Sequence, residues 1–271
     1  MAHFLNSSKT FPTLRAVSKR TGKAIVDYGM IEEGDRIAVA VSGGKDSLSL
    51  LHVLRDRQRV APVRFDFFAV HVNFGLFHFS PERLIRYFEA QGFSYHVESV
   101  VNPSGQRWEE SDCFWWSRQR RKALFELAAR LGIRKIAFGH HMDDIVETII
   151  LNQFYHAEVS AMKPRQELFG GKIVLIRPLA YVRERDMERL ANKLGIETIG
   201  QARCAHEETS HRLMIKQMLR QFEKENPQVI PNIFKSLQNI KSDYLLKTSD
   251  RFPSALKGVG EPRSASSKSL A

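Results

Sequence analysis

The residues in this chain best suited to chemistry are Ser42-Gly-Gly-Lys-Asp-Ser47. Gly43 and Gly44 let a ligand approach the backbone closely, and the first N–H groups of a helix starting here lack partners of their own. With the positive end of the helix dipole and the Lys45 ammonium, such a turn is a cradle for phosphate. Asp46 and Ser47 supply oxygens of the kind that hold a magnesium ion bridging phosphates. The motif is neither a Walker A loop, because Lys45 is followed by Asp46 and the glycine spacing differs, nor a dinucleotide fingerprint. A plain strand–helix turn, with glycines chosen for geometry alone, is the bland alternative.

Three further groups carry reactive or charged side chains. Gly139-His-His-Met-Asp-Asp144 ends in paired carboxylates, Asp143 and Asp144, which suit a hard cation or simple N-capping of a helix. Zinc fits poorly, because His140 and His141 do not share a face and no further soft ligand follows at metal spacing. The second group is the two thiols, Cys113 and Cys204, 91 residues apart (204 − 113) and so brought together only by the fold. The third is Arg118, Arg120, Arg121 and Lys122 just after Cys113. Cations in the first turns of a helix oppose its dipole, at about 0.3–1 kcal/mol each. They point to an anion to be met (RNA phosphate, ATP phosphate or a sulfur anion) or to a solvated charged face. Near a thiol they would also favour the thiolate. Lys163, in the basic stretch from Tyr155 to Gly171, adds to the same set of RNA-binding candidates.

These groups need elements to position them. Ile37 to Val41 is small, apolar and largely β-branched, as expected of a strand buried on both faces of a parallel sheet. Val41 leads into the glycine turn, and Asp46 onward reads as a well-covered helix. Phe65–Val72, Tyr95–Val100, Ile133–Phe138 and Ile173–Ala180 are further strand candidates. Helices are expected from Ser80-Pro81-Glu82 to Gly92, from Cys113 to Gly132, from Asp144 onward and from Arg183 to Gly195, with two more around 209–225 and 229–246. Strand and helix alternate, which predicts a doubly wound, mainly parallel α/β sheet with helical additions at both ends. Its ligands belong beyond the carboxyl ends of the strands, which brings His71 and Gly139-His140 to the same pocket. His71 is either a pocket-lining residue or an ordinary strand-end histidine. The expected organisation is a basic helical extension (1–30), an α/β domain (31–200), a helical region (201–250) and a Ser, Gly, Pro and Lys-rich disordered tail (251–271).

A chain of 271 residues can bury a full core. The formal charge of +11 indicates a polyanionic partner without specifying it. Two cysteines do not form a disulfide framework and fit reduced thiols in a cytoplasmic protein. No apolar run approaches the roughly 20 residues of a membrane span, and no signal peptide is visible.

The motif Ser42–Ser47 resembles the pyrophosphatase loop of PP-loop ATPases, which cleave ATP between the α and β phosphates. With Ser117-Arg-Gln-Arg-Arg121 after Cys113, Gly139–Ile145, Leu151-Asn-Gln-Phe-Tyr155, Ile176–Glu184 and Cys204 ahead of Arg212, the chain resembles tRNA 2-thiocytidine synthetases over about residues 15–245. That resemblance implies adenylation of a cytidine in the tRNA anticodon loop and replacement of its C2 oxygen by sulfur. It implies ATP held by Val41 to Ser47, with His71, Gly139, His140 and Asp143. Magnesium falls to Asp46, Asp143 and Asp144, and catalysis to Asp46, Cys113 and Cys204. The net charge and the basic clusters, read from the residues themselves, assign RNA contacts to Arg118, Arg120, Arg121 and Lys163. Expected partners are tRNA, a sulfur donor such as a cysteine desulfurase, and a second copy in a homodimer, without a membrane. The family holds an iron–sulfur cluster on three cysteines, a Cys-x-x-Cys pair and a later one. Here Trp116 stands at the second position, and tryptophan does not ligate iron. A cluster with a substitute ligand, a metal-free persulfide relay through both cysteines, and loss of sulfur transfer all remain open on the sequence. The other readings are a lysidine-type ligase, which leaves the thiols unexplained, and a non-catalytic RNA-binding adaptor, which leaves Asp46 unexplained.

Overall fold

The computed structural model describes residues 10–75, 81–100, 113–199 and 211–246. In chain order the elements are α1 (Thr10–Asp27), β1 (Asp35–Ala40), α2 (Lys45–Val60), β2 (Phe65–Asn73), α3 (Glu82–Gln91), β3 (Tyr95–Ser99), α4 (Cys113–Arg130), β4 (Lys135–Ala137), α5 (Met142–Tyr155), β5 (Arg165–Leu168), β6 (Ile173–Ile176), α6 (Glu184–Leu194), α7 (His211–Glu225) and α8 (Val229–Ser236). The chain divides into two compact units, Met1–Leu237 and Gln238–Ala271. In the second unit the described residues contain one short 3-10 turn, Ser242–Tyr244, so the helix expected over 229–246 ends at Ser236. The expected disordered tail lies outside the described residues.

The six strands run in the order β3-β2-β1-β4-β6-β5. The pairs β1–β2, β2–β3, β1–β4 and β4–β6 are parallel, and β5 pairs antiparallel with β6. Side chains alternate across the sheet with the period of two that strands impose. Ile37, Val39, Ala137, Val174 and Ile176 face one layer, packed with α1, α2, α3 and α6 through residues such as Leu14, Leu48, Leu84, Phe88 and Met187. Ala38, Val70, Ile136, Ile173 and Leu175 face the other, where α4 supplies Leu124 and Leu127. A third apolar cluster joins α5 to α7 and α8 through Ile145, Ile149, Ile215, Leu219, Ile230 and Phe234. The expected helical cover on both faces is therefore present.

The stretch 155–171, expected as a loop, contains β5. This edge strand is polar and only half-buried, so it lacks the apolar signal that marks the interior strands. At the opposite end of the sheet from the glycine turn, Lys135 is almost fully buried, its ammonium 2.6 Å from Asp35 and 3.0 Å from Glu32. That pairing lets a charged residue occupy a central strand. Among the described residues no helix is long and apolar enough to cross a membrane.

Strand order reverses between β2-β1 and β4-β6, and at such a switch point the helices on either side leave a crevice beyond the strand ends. The turn after β1 and the turn after β4 both open there.

Candidate active site

The crevice is a cavity of about 1270 Å³, lined from β1, α2, α4, α5, the β5–β6 hairpin and α7. Single-ligand pockets usually hold about 300–1,000 Å³, so there is room for a nucleotide and part of a second substrate.

The β1–α2 turn is built from its own side chains. The Ser47 hydroxyl donates to the Gly44 carbonyl at 3.0 Å and accepts from the Ser42 N–H at 3.3 Å, while the Ser42 hydroxyl accepts from the Gly44 N–H at 3.3 Å. Gly43 has φ 87°, a left-handed conformation that glycine adopts without penalty, and its carbonyl accepts from the Ile199 N–H at 2.9 Å. Among the described residues no side chain caps α2, whose N-cap is Gly44. Val41, Ser42, Gly44, Asp46 and Ser47 line the cavity. Lys45 and Asp46 pair at 3.1 Å.

The α5 terminus differs. His141 caps it, with its Nδ1 accepting from the Asp144 N–H at 3.4 Å, and Asp144 returns a bond to the His141 N–H at 2.9 Å. This capping box consumes donors that a phosphate would need. Of the two helix starts in the crevice, α2 is thus the one left open to an anion. The turns themselves are pressed together. A Cβ on Gly139 would lie 3.0 Å from both the N and Cα of Ser47.

The two carboxylates separate. Asp144 lines the cavity; burial works against its charged form, but His141, His140 and the backbone outweigh that and hold its carboxyl below the usual range. Asp143 points away. It takes bonds from Arg183 at 2.9–3.2 Å and from the Glu184 N–H at 2.7 Å, where it ties α5 to the start of α6. The sequence reading grouped Asp143 with the ATP and magnesium ligands; its geometry here is that of a structural link, because neighbouring residues of a helix lie about 100° apart around its axis.

His140 lines the cavity, stacked on Phe138 with ring centroids 5.6 Å apart. Burial pushes its pKa down to about 4, so the ring is neutral near pH 7, and its Nδ1 has no hydrogen-bond partner among the described residues. His71 lies beneath the loop. Its Nδ1 donates to the Val41 carbonyl at 2.9 Å, and burial lowers its pKa.

Among the described residues six cations line the cavity (Arg118, Arg120, Arg121, Lys122, Arg177 and Arg212) against three acids (Asp46, Glu126 and Asp144). Burial lowers the pKa of Arg120, and burial with Arg121 nearby takes Arg177 down to about 10. Crowded, partly desolvated guanidinium groups are stabilised by an incoming anion. Arg177 and Arg212 stood in the motifs that carry the resemblance but were given no role there. Arg177 directly follows Ile176, the last residue of β6, whereas the strand expected from the sequence ran on to Ala180. Arg212 approaches Asp144 at 3.8 Å and Glu147 at 3.6 Å and donates to the Thr148 hydroxyl at 3.1 Å. Glu147 is buried, and burial together with Asp144 raises its pKa to about 7. Lys163 is exposed, and its carbonyl accepts from Arg177.

Cys113 is the first residue of α4, whose next turns carry the arginines into the cavity. The Cys113 and Trp116 side chains and all of Cys204 lie outside the described residues, as does the expected meeting of the two thiols. Among the described residues no group of three or more His, Cys, Asp or Glu is arranged to hold a metal ion.

Residues 14–221 match the PP-loop domain family. The chain is 39% identical over 238 residues to the tRNA-cytidine(32) 2-sulfurtransferase of Geobacter sulfurreducens, covering 86% of this chain and 92% of that protein. It is 40% identical over 243 residues to the protein of the same name from Saccharophagus degradans, covering 86% and 77%. Its fold is similar to that of the U34-tRNA thiolase NcsA from Methanococcus maripaludis, with a TM-score of 0.65 at 19% identity over 83% of this chain and 79% of that one. With the uncapped α2 terminus, the touching turns and the cationic crevice, these matches show that the chain belongs to the PP-loop ATPases of the tRNA-cytidine(32) 2-sulfurtransferase group.

Proposed function

We propose that the protein activates a cytidine of tRNA with ATP and exchanges its C2 oxygen for sulfur. The observation that carries this reading is an uncapped helix terminus opening, with six cations, into a cavity larger than one nucleotide requires. The C2 oxygen attacks the α-phosphate of ATP, the bond to the β-phosphate breaks, and pyrophosphate leaves. The C2–O–AMP group makes C2 electrophilic. A sulfur nucleophile adds there, the C2–O bond breaks, and AMP departs. Charge grows on pyrophosphate in the first step and on AMP in the second, so fixed donors aimed at those positions lower both barriers.

In this reading the α2 amides and Lys45 hold the pyrophosphate, and Asp46 and Asp144 hold magnesium with it. Arg120, Arg177 and Arg212 take up the growing charge. The neutral His140, with its unpartnered Nδ1, suits an uncharged hydrogen-bonding group such as adenine or ribose. Arg118, Arg121 and Lys163 meet RNA phosphates.

The thiolase NcsA was solved with a [4Fe-4S] cluster. A cluster on three protein thiolates does not fit this chain, which has two cysteines in all. Two thiols suffice for a persulfide relay. The terminal sulfur of a persulfide on one cysteine adds to C2 and displaces AMP. The other thiolate then attacks the cysteine sulfur, which leaves C2=S on the base and a disulfide in the protein, to be reset by an external thiol. A donor such as a cysteine desulfurase supplies the persulfide. A cytoplasmic location and a homodimer complete the reading on the resemblance alone.

Lys45→Ala or Asp46→Ala should abolish pyrophosphate release in the presence of tRNA. If either variant releases pyrophosphate at the wild-type rate, the site is wrongly assigned.

A further inference from the structure

The β5–β6 hairpin turns on Leu168-Phe-Gly-Gly171, closed by the Gly171 N–H donating to the Leu168 carbonyl at 3.0 Å. Phe169 has φ 52° and Gly170 φ 65°. Phe169, Gly170 and Gly171 are three successive left-handed residues in the four-residue loop between the paired Leu168 and Ile173, and left-handed positions favour Gly, Asn or Asp. A bulky aromatic there is a backbone outlier, and backbone outliers concentrate where function imposes them. Burial does not explain the choice, since Phe169 is 62% exposed. Its ring makes one edge contact among the described residues, to Phe125 of α4, with centroids 5.7 Å apart and planes at 78°. Both rings line the large cavity, as do the exposed Arg118, Arg121 and Lys122 of the same helix. A hairpin tip thus carries a strained, solvent-facing aromatic to the rim of a cationic crevice.

We propose that Phe169 is a stacking platform for an unpaired nucleobase of the tRNA loop, next to the cytidine that enters the cavity. The inference rests on the functional reading above and adds a base-binding subsite to it. Unpaired bases of RNA loops are held by aromatic faces, while arginines and lysines track the backbone. The near-perpendicular Phe125 ring braces Phe169, most of whose surface stays exposed. Stacking tolerates any base, so this subsite orders the loop, and selection of the reacting base is left to the interior of the cavity.

The test is Phe169→Asn in the full-length protein, with Phe169→Trp beside it. Asparagine suits the left-handed position, so the Asn variant should melt at or above the wild-type temperature. Its affinity for an anticodon stem-loop RNA should nevertheless fall about 5- to 150-fold, the range for loss of one base–aromatic stack. The Trp variant should bind like wild type. Stem-loops carrying 2-aminopurine at each loop position in turn should show one position quenched by wild type and unquenched by the Asn variant. An Asn variant that binds RNA as tightly as wild type overturns the proposal while leaving the functional reading intact. So does one that melts lower and loses ATP and RNA binding together, because the hairpin is then structural. Wild-type protein that does not bind the stem-loop at all overturns the functional reading, and the stacking role with it.

Discussion

Gly139→Ala separates a steric account of the site from a merely topological one. Gly139 has no positive φ, so alanine can adopt its backbone conformation. By itself the change should stabilise the protein by about 0.4–1 kcal/mol, through lower entropy of the unfolded chain. The added methyl, however, would sit 3.0 Å from the Ser47 N and Cα and 3.2 Å from the Asp46 carbonyl carbon. These are backbone atoms at the mouth of α2 and cannot swing aside. Restoring ordinary contact at about 3.5–4.0 Å requires a displacement of roughly 0.5–1 Å. Overpacking of this kind costs about 1–3 kcal/mol, so the net loss is on the order of 1–2 kcal/mol, or a few degrees in melting temperature. The effect on catalysis is larger, because misplacement of about 1 Å can cost 10²-fold. Pyrophosphate release with saturating ATP and tRNA should fall roughly 10- to 100-fold while the protein still folds, as followed by calorimetry and pyrophosphate assay on one preparation. Wild-type release with an unchanged or raised melting temperature would refute the claim that the two turns are pressed together around one substrate.

Glu147 is buried among Asp144, Glu184, Arg212 and Lys216, and its pKa, raised from 4.5 to about 7, means that the folded state holds its proton more tightly than the unfolded chain. Stability from this group is therefore lost as pH rises from about 4.5 to 7, by at most about 3.5 kcal/mol. His140 and His52, each lowered to about 4 by burial, act with opposite sign over part of that window. The informative quantity is the difference between wild type and Glu147→Gln, which should move in favour of Gln between pH 5 and 8 in calorimetric melts. Asp143→Ala should cost about 3 kcal/mol, because the buried Arg183 loses a partner. Asp144→Ala should cost only about 1 kcal/mol for its cap but raise the magnesium needed for pyrophosphate release; a larger loss of melting temperature for Asp144→Ala would reverse the two roles. Replacing the exposed Arg118 and Arg121 with alanine should make the dependence of log affinity for tRNA on log salt shallower by about 1–2, each phosphate contact contributing roughly 0.7–0.9.

The parts of the fold legible in the sequence were those whose side chains sit in one environment throughout. Ile37–Val41 and Ile173–Ile176 are apolar because both faces of the sheet are covered, and Gly92 and Gly195 stop their helices in the left-handed conformation, as expected for terminal glycines. Arg165–Leu168 escaped because an edge strand paired on one side needs no apolar alternation. The Phe169-Gly-Gly turn ahead of an apolar strand was its only local sign. In the site, the phosphate loop was legible because its chemistry is contiguous. Which of Asp143 and Asp144 faces the crevice depends on the rotation of α5, and that is set by its own cap, His141, together with Arg183 from 40 residues further along the chain. The contributions of Arg177 and Arg212 come from just after β6 and from α7 and are assembled only by packing.

The central claim is tested most directly by incubating the purified protein with ATP, magnesium, unmodified substrate tRNA and a persulfide donor, then digesting the tRNA to nucleosides for mass spectrometry. The account predicts 2-thiocytidine at one position, with one AMP and one pyrophosphate for each sulfur introduced, and none of these products from Lys45→Ala. ADP and orthophosphate in place of AMP and pyrophosphate, or a lysine-bearing cytidine in place of 2-thiocytidine, would contradict it.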